Sequence, residues 1–543
     1  MPSRRTVRTL ILGLSLLATA LVHADDQRRL PQGAGLIGQV IDAQNGRGVD
    51  RAVVTLIGTG RQRQIVTDSR GRFLLTGLSD GEYILTATRQ GFLDGAFGRR
   101  RSGGTGHTIV VNAGQWLTGL EIPIWRPAVV TGAVSDAFGE PVEGVRVQAF
   151  RRHYVGSQAV LERVASDTTD DTGSYRFSGL HAEDHVVRVD AGVRLYFPLG
   201  TRPSHAQIVT PVAGRETGGI NFYLPAADDD QSLTGVVHPP PSGDASSELP
   251  PATATAHTLR VAEPPDPELL LSDEDREFTR VALDDEHRFV IERLVPRNYS
   301  LEADWPDGSF VRQEIEVSAQ RPSETIAISA IPGLVVRGSV SVKRVVNVRP
   351  LPALDSMVVA LIRQDGVRRE TISGRTDSGT ISVGPVRPGP YDVAITGLPA
   401  GWSVIAAEAE GTNVMWHPMN LGVDGLLPEL RITISDQSAS VSGLVRGPAG
   451  QADGEALVVV FPAGPSAAPA GQTFSARTSR FGHYAVTDLP PGSYLIAAID
   501  DADSAGWQAP ERLQQLRRGA TAVTLKPGET RVFELKRLNL RRR

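Results

Sequence analysis

The sequence predicts an all-β protein, a tandem array of about five small antiparallel β-sandwiches behind a cleaved N-terminal signal peptide. Three observations support this fold class. A short motif returns about every 100 residues, each copy alternates apolar with polar residues, and Asp, Gly and Pro cluster between the alternating runs. The chain of 543 residues is also too long for one core, because domains usually hold about 100 to 200 residues.

The N-terminus has the order of charged and apolar residues that is typical of a secretory signal. Arg4, Arg5 and Arg8 precede an apolar run from Leu10 to Val22, and Val22-His23-Ala24 is a small-x-small cleavage pattern. We therefore predict that residues 1–24 are removed and that the mature chain is exported: periplasmic, on the cell surface or extracellular. The paired arginines leave twin-arginine export open. A retained anchor is the alternative, although the run is short for a bilayer core of about 30 Å.

One motif identifies the repeat. It reads TDSRGRFLLTGL from Thr67, TDDTGSYRFSGL from Thr169, LDDEHRFVIERL from Leu283 and TSRFGHYAVTDL from Thr478, with a degraded copy, TDSGTISVGPV, from Thr376. This spacing predicts sandwiches at 25–127, 128–229, 230–332, 333–437 and 438–543. The third and fourth copies diverge in their turn residues, and the third carries a Pro-rich insertion from His238.

Each copy of the motif predicts a β-hairpin. Phe73 and Leu75 alternate with polar or outward positions, as in a half-buried strand. The equivalent pairs are Tyr175/Phe177, Phe289/Ile291 and Tyr484/Val486. Asp68 can accept hydrogen bonds from backbone N–H groups two residues on, and Gly71 can take the positive φ that the strand start needs. A second turn leads into aromatic strands that begin with Tyr83, Tyr391 and Tyr494.

Further elements flank the hairpin. A strand, a turn and an alternating strand precede it, as in GQVIDAQNGRGVDRAVVTL from Gly38 and GAVSDAFGEPVEGVRVQAF from Gly132. A closing turn and a last strand follow it. One short helix is predicted from Pro510, because proline suits a first helical turn, and it should end at Gly519.

The hairpin also contains a pattern of serine hydrolases. Gly77-Leu78-Ser79-Asp80-Gly81 fits G-x-S-x-G, which holds a nucleophile only at a strand-to-helix turn. Ser79 instead lies between two predicted strands, and the other copies have His181, Val295, Arg387 or Pro490 at its position. We interpret Ser79 as a turn residue, and we predict no catalytic residue in the chain.

The combined pattern of G-x-V, G-x-P/V-V, T-D-x-x-G-x-F/Y-x-F and G-x-Y resembles the carboxypeptidase regulatory-like domain, a transthyretin-like sandwich that is also similar to carbohydrate-binding folds. The resemblance is clearest in copies one, two and five and extends over nearly all of the predicted mature chain. It implies a secreted bacterial repeat protein and supplies no catalytic residues. Since such domains often accompany peptidases, it also implies an alternative function, as an accessory subunit of a separate secreted peptidase or outer-membrane transporter.

Metal and cofactor chemistry gains little support from the residues. The chain has no cysteine and no HExxH motif, which removes thiolate sites and the usual paired zinc ligands. The closest cluster, His181-Ala182-Glu183-Asp184-His185, replaces the second turn of copy one and is predicted to be exposed. Acidic groups at Asp273–Asp275, Asp284–Glu286 and Asp500–Asp503 lack the spacing of an EF-hand. We predict no metal and no cofactor.

Candidate binding residues are basic or aromatic. Arg99-Arg100-Arg101 is a basic patch suited to an anionic surface polymer, with a solvated loop as the alternative. Of the six tryptophans, Trp416 and Trp507 lie among polar and turn residues and are the two predicted to face a ligand. Core or interdomain packing is the alternative for each of the six. The formal net charge of −5 gives no general case for nucleic acid.

These features predict a non-enzymatic, exported protein that binds a polysaccharide or a cell-envelope protein or acts as a spacer. Exposed aromatic rings on one sandwich face would favour sugar binding, whereas rings buried or lying at junctions would favour a spacer. An enzyme would need polar groups from several copies to converge in one cleft. Nucleic acid is not predicted as a partner, nor is a transmembrane segment in the mature chain.

Overall fold

The computed structural model describes residues 33–540, with gaps at 59–61, 193, 226–230, 240–257, 263–268, 272–278, 295, 306–308, 319–324, 345–351, 364–370, 400, 423–426 and 465–470. The predicted signal peptide, most of the Pro-rich insertion and the acidic group at Asp273–Asp275 lie outside the described residues. Strands dominate throughout, so the all-β fold class is confirmed. In the part of the chain that is described, no helix has the length and apolar character needed to cross a membrane.

The chain divides into two compact units. The first comprises the described residues up to Gln90 together with 94–99 and 105–124. The second comprises 91–93, 100–104 and the described residues from Trp125 onward. The short segment 100–104 therefore belongs to the second unit.

The first unit is one sandwich. Its strands are β1 (Ala34–Asp42), β2 (Val53–Gly58), β3 (Arg63–Val66), β4 (Arg72–Leu78), β5 (Gly81–Thr88), β6 (Gly95–Ala96), β7 (Thr108–Val111) and β8 (Trp116–Ile124). One sheet has the order β4-β1-β8 and the other β3-β2-β5-β6, with β7 also paired to β5. Both sheets contribute fully buried side chains, such as Leu36 and Ile122 from one and Val54 and Leu85 from the other.

The second unit begins with two further groups of strands. The second sandwich contains β9 (Ala128–Ser135), β10 (Arg146–Val155), β11 (Gln158–Thr168), β12 (Ser174–Leu180), β13 (His185–Asp190), β14 (Arg194–Tyr196), β15 (Glu216–Thr217) and β16 (Phe222–Tyr223). The third contains β17 (Gln231–His238), β18 (Thr258–Ala262), β19 (Leu269–Leu271), β20 (Thr279–Ala282), β21 (Arg288–Leu294), β22 (Arg297–Asp304), β23 (Phe310–Val317) and β24 (Ile326–Ser329). β19 joins the sheet of the second sandwich, in the order β14-β13-β10-β11-β19.

Two more sandwiches follow. The fourth contains β25 (Leu334–Lys343), β26 (Val358–Arg363), β27 (Thr371–Arg375), β28 (Thr380–Val386), β29 (Gly389–Thr396), β30 (Ser403–Ala409), β31 (Thr412–Asn413), β32 (Met419–Leu421) and β33 (Leu430–Ser435). The fifth contains β34 (Ala439–Arg446), β35 (Ala456–Pro462), β36 (Phe474–Arg477), β37 (His483–Leu489), β38 (Gly492–Asp500), α1 (Pro510–Arg517), β39 (Thr521–Leu525) and β40 (Thr530–Lys536). The predicted helix is confirmed. The exact sandwich boundaries stay predictions.

The turn before each motif strand is built as its sequence predicts. The Asp68 carboxylate accepts hydrogen bonds from the backbone N–H groups of Arg70 and Arg72 at 2.9 and 2.8 Å. These bonds, together with the Arg72 side chain, hold the pKa of Asp68 below its usual value. Gly71 has φ +77°. Asp170, Asp284 and Ser479 make the same bonds in the second, third and fifth sandwiches.

A glycine recurs in the first strand of each sandwich because the neighbouring backbone lies too close for a side chain. β1 pairs in parallel with β8, and a Cβ added at Gly38 would lie 2.3 Å from the carbonyl oxygen of Leu120. The equivalent glycines meet a carbonyl of the parallel neighbour in the same way; they are Gly132, Gly235, Gly338 and Gly443. Any larger residue would force these strands apart. Each sandwich thus contains at least one parallel strand pair, a feature that the strand pattern alone did not predict.

Alternation within the motif strands places one side chain in two into each core. Phe73 and Leu75 are buried, and so are Tyr175/Phe177, Phe289/Ile291 and Tyr484/Val486. In the second sandwich Tyr175 and Phe177 lie with their ring centroids 5.2 Å apart, within one apolar cluster that spans both sheets. The predicted alternation is therefore confirmed, but the predicted β-hairpin is wrong: β4 pairs with β1 in one sheet, whereas β3 and β5 pair with β2 in the other, so the turns on either side of the motif strand connect the two sheets.

Candidate binding cleft

Ser79 lies in a turn between two strands, as predicted. Its side chain is exposed, and its backbone carbonyl accepts a hydrogen bond from the Tyr83 hydroxyl at 3.1 Å. The same bond, from a tyrosine to the carbonyl four residues earlier, joins Tyr391 to Arg387 and Tyr494 to Pro490 at 2.9 and 2.7 Å. The G-x-S-x-G pattern therefore lies in the β4–β5 turn, which is closed by a tyrosine corner that the fourth and fifth sandwiches form without this pattern.

The second sandwich has a histidine where the others have this tyrosine. His185 is 1% exposed, and its Nδ1 donates to the carbonyl of Glu183 at 2.7 Å. Burial lowers the pKa of His185. The prediction that His181–His185 forms an exposed turn is wrong for His185 and Glu183, because this turn packs against another part of the second unit.

The partner of that turn is the segment 100–104. Glu183 accepts from Arg101 at 2.7 Å, and the Ser102 hydroxyl shares a hydrogen bond with Nδ1 of His181. Arg101 also lies 3.3 Å from the Ser504 hydroxyl of the fifth sandwich. One short segment thus contacts both the second and the fifth sandwich.

The arginine triplet is paired with carboxylates. Arg99 contacts Asp94 at 2.9 Å within the first unit. Arg100 contacts Glu455 and Arg101 contacts Glu183, both at 2.7 Å, within the second. These ion pairs neutralise the charges that an anionic polymer would need, so neither a basic patch nor a freely solvated loop describes them.

The described acidic groups serve local structure. Asp284 holds its turn, and Asp500 accepts from the backbone N–H of Ala502. Asp501 is buried and paired with Arg477 at 2.9 Å. Across the residues that the structure describes, no group of three or more His, Asp or Glu side chains is placed to hold a metal ion.

The two tryptophans predicted to face a ligand are half-buried. Trp416 packs against the cores of both the fourth and the fifth sandwich and meets the Tyr494 ring edge-on, with centroids 5.7 Å apart. Trp507 packs on an apolar cluster that includes Leu513 and Leu516 of α1. Trp305 and Trp402 are buried, and Trp116 and Trp125 are half-buried. The position of Trp416 at a junction and of Trp507 on a cluster of the fifth sandwich favours packing roles, and a ligand role for either ring stays a prediction.

A cleft of about 480 Å³ lies within the second unit, between the second and fifth sandwiches. The β10–β11 hairpin forms one side, and Pro510 and Glu511 at the start of α1 form the other. Its lining residues are Arg152, Tyr154, Ser157, Gln158, Ala159, Pro203, Ser204, Ala206, Ile208, Pro510 and Glu511. This volume is within the range of small-molecule sites, about 300 to 1,000 Å³.

Local structure explains why these side chains reach the cleft. β10 and β11 have 10 and 11 residues, whereas β2 and β3 of the first sandwich have 6 and 4. The longer hairpin carries Tyr154 to the fifth sandwich, where a Cβ added at Gly506 would lie 3.6 Å from Cε2 of its ring. Ala206 and Ile208 pack on a buried outer cluster that includes Phe150 and Tyr196.

The positive charge at the cleft is paired with a carboxylate. Arg152 pairs with Asp184 at 2.6 Å, and its guanidinium carbon lies 5.8 Å from the centre of the Tyr154 ring. Burial raises the pKa of Tyr154; Arg152 opposes that rise, and Glu511 and Asp184 add to it. The phenol therefore keeps its proton as a hydrogen-bond donor at neutral pH.

Arg152, Tyr154 and Glu511 were not predicted from the sequence. One signal was available, since RRHYVGSQAVLERV in copy two is longer and more polar than the matching stretch of copy one. The position of Glu511 opposite this hairpin had no local signal, because it depends on how two non-adjacent sandwiches meet.

Comparisons with known proteins concern the fold. The minor pilin GBS52 of Streptococcus agalactiae is 12% identical, over 36% of this chain and 97% of that one, with a TM-score of 0.22. The shaft pilin SpaA of Lactobacillus rhamnosus GG is 10% identical, over 36% and 98%, with a TM-score of 0.19. The Bacillus anthracis TIE protein is 11% identical, over 85% and 71%, with a TM-score of 0.15. Similarities this weak carry no argument about function.

The sequence itself has one informative match. No curated protein matches the chain. Residues 35–117, which span most of the first sandwich, match the carboxypeptidase regulatory-like domain family. The chain therefore contains a carboxypeptidase regulatory-like domain within a multi-domain β-sandwich protein.

Proposed function

We propose that this chain is a non-enzymatic, exported binding protein whose ligand is a polysaccharide or a cell-envelope protein. The cleft between the second and fifth sandwiches is the observation that carries the proposal. It combines an aromatic ring with charged and neutral polar groups, which is the usual composition of a binding site.

The surroundings of the cleft suit binding. Arg152 is held by Asp184, and the Tyr154 phenol stays protonated, so both present stable hydrogen-bonding groups. Arg101 contacts Glu183 on the second sandwich and Ser504 on the fifth. These contacts keep the two walls in register, and a preformed site loses less entropy when its ligand binds.

The test is a glycan array and an envelope-fraction pull-down with the purified chain. Saturable glycan binding would support a polysaccharide ligand, and enrichment of one envelope protein would support a protein ligand. If the enriched protein is a peptidase or a transporter, the result would support the alternative function as an accessory subunit. The absence of any binder in both assays would overturn the proposal.

A variant with Trp416→Ala and Trp507→Ala should be assayed in parallel. Because both rings pack on apolar clusters, the thermal unfolding of this variant must be measured beside its binding. Lost binding with unchanged unfolding would support Trp416 and Trp507 as ligand-facing residues, whereas retained binding would place the ligand elsewhere.

A further inference from the structure

The cleft between the second and fifth sandwiches has a lining with a consistent chemical character. Apolar surface comes from the Tyr154 ring, Ala206 and Ile208, whereas Gln158 and Glu511 bring an amide and a carboxylate. Together with the Tyr154 hydroxyl, these groups offer both donors and acceptors above an apolar wall.

A sugar has the matching character. One face of a pyranose presents C–H groups that pack on an aromatic ring, while its rim of hydroxyls both donates and accepts hydrogen bonds. Tyrosine suits such a contact because its ring is apolar and its hydroxyl is polar. Amide and carboxylate side chains then accept from ring hydroxyls, and charged acceptors form the stronger bonds.

The charges at the cleft argue against an anionic ligand. Arg152 lies against Asp184 at 2.6 Å, and Glu511 is a carboxylate on the facing wall. An anionic group, such as a phosphate or a uronate, would face the Glu511 carboxylate, while the nearby Arg152 guanidinium is already paired with Asp184. Repulsion between like charges therefore disfavours anionic ligands.

A peptide added as an extra strand also fits poorly. The β11 backbone next to the cleft is already paired, because Ala159, Val160 and Leu161 align in parallel with Leu269, Leu270 and Leu271 of β19. Strand addition needs an edge with available backbone groups. The residues at the cleft that remain for recognition are side chains.

We propose that this cleft is a binding site for neutral sugar units, with Tyr154 as the packing surface and Gln158 and Glu511 as hydrogen-bonding groups. The inference rests on the proposed binding function and deepens it. Since the lining comes from both sandwiches, a bound sugar contacts both and stabilises their junction.

The experiment is a titration of the full chain with maltohexaose, cellohexaose and chitohexaose, with oligogalacturonate as an anionic comparison. Wild type, Tyr154→Ala, Glu511→Gln and Tyr223→Ala are compared. Tyr223 is the matched control, because it belongs to the same sandwich, is 59% exposed and does not line the cleft.

We expect at least one neutral hexaose to bind. Tyr154→Ala should weaken it by about tenfold or more, and Glu511→Gln by about tenfold, while Tyr223→Ala leaves it unchanged. Thermal unfolding of each variant without ligand shows whether folding is retained, and Glu511→Gln, at an exposed position, keeps the test valid if Tyr154→Ala unfolds.

Other outcomes overturn the inference in distinguishable ways. Hexaose binding that survives both cleft variants would leave sugar binding intact but move the site elsewhere. Binding of oligogalacturonate alone would contradict the neutral class. No sugar binding with an enriched envelope protein would reject the sugar site and keep the proposed function, whereas no binder of either kind would reject both.

Discussion

The second turn of the motif is built in two different ways within this chain. In the first, fourth and fifth sandwiches a tyrosine hydroxyl bonds to the carbonyl four residues earlier, as Tyr494 does to Pro490. In the second sandwich His185 occupies that position and bonds only two residues back, to Glu183. The first arrangement closes a turn on itself. The second leaves the Glu183 carboxylate and the His181 ring to contact Arg101 and Ser102.

This difference shows how a repeat can become an interface without a change of fold. The strands on either side are the same, since β4–β5 and β12–β13 frame equivalent turns. A tyrosine corner uses its polar atoms internally. Its replacement in the second sandwich directs polar side chains outward, where they bind a segment that also contacts the fifth sandwich.

The largest effect should follow removal of a corner tyrosine. Tyr494 is fully buried and packs against Trp416 and Phe474. Tyr494→Ala should lower the free energy of unfolding by about 3 to 5 kcal/mol, because it leaves a cavity and an unpaired carbonyl. Urea denaturation followed by tryptophan fluorescence measures this change. The exposed control Tyr223→Ala should stay within about 0.5 kcal/mol of wild type, and an equal loss in both variants would contradict the packing argument.

A smaller effect should follow disruption of the second-sandwich turn. Arg101→Ala leaves Glu183, 16% exposed, with the longer contact to Arg151 at 3.9 Å as its remaining ion pair among the described residues. We expect a loss of about 1 to 3 kcal/mol in local stability, since a partly buried charge loses its hydrogen-bonded partner. Limited trypsin digestion with mass spectrometry should show cleavage after Arg100 at least about tenfold faster than in wild type.

The control for this prediction is Arg431→Ala, at an exposed ion pair with Glu429. Surface pairs contribute little, about 0 to 1 kcal/mol, so this variant should be cut after Arg100 at the wild-type rate. If Arg101→Ala is equally resistant, segment 100–104 does not depend on its contact with Glu183.

Removal of the Tyr83 hydroxyl from the tyrosine corner of the first sandwich should lower stability by less than either change above. Tyr83→Phe keeps the ring and removes only the bond to Ser79 at 3.1 Å, for an expected loss of about 0.5 to 1.5 kcal/mol. Hydrogen exchange of the backbone N–H groups in β5 measures it locally. Unchanged exchange would show that ring packing alone closes this turn.

The elements that could be predicted are those with local causes. Asp68 and Gly71 lie within one turn, Phe73 and Leu75 follow the period of a strand, and the start of α1 follows from Pro510. Contacts between distant segments left no such pattern. Arg101 meets Glu183 across 82 positions and Arg100 meets Glu455 across 355, because these pairs depend on how folded sandwiches meet. The cleft residues, gathered from two sandwiches, were missed for the same reason.

The smallest expected effect is a difference in pH dependence between the His185 turn and the tyrosine corners. Burial holds the pKa of His185 below its ordinary value of about 6.5, with the Glu183 contacts opposing this and His181 and Arg151 adding to it. The folded state then resists protonation, while the unfolded chain accepts the proton. The contribution of His185 to the free energy of unfolding is fully present above about pH 6.5 and is lost as pH falls from there toward the folded-state pKa.

Tyr494 behaves in the opposite sense, because burial raises its pKa. Its contribution to the free energy of unfolding is lost only as pH rises above about 10. Thermal unfolding of wild type and His185→Gln between pH 7.5 and 5.5 tests the His185 half of this contrast. The acid slope of wild type should be reduced in His185→Gln and kept in His417→Gln, which changes an exposed histidine. Equal slopes in wild type and His185→Gln would mean that His181 or the carboxylates carry the acid response, and that burying a histidine in this turn adds no pH dependence.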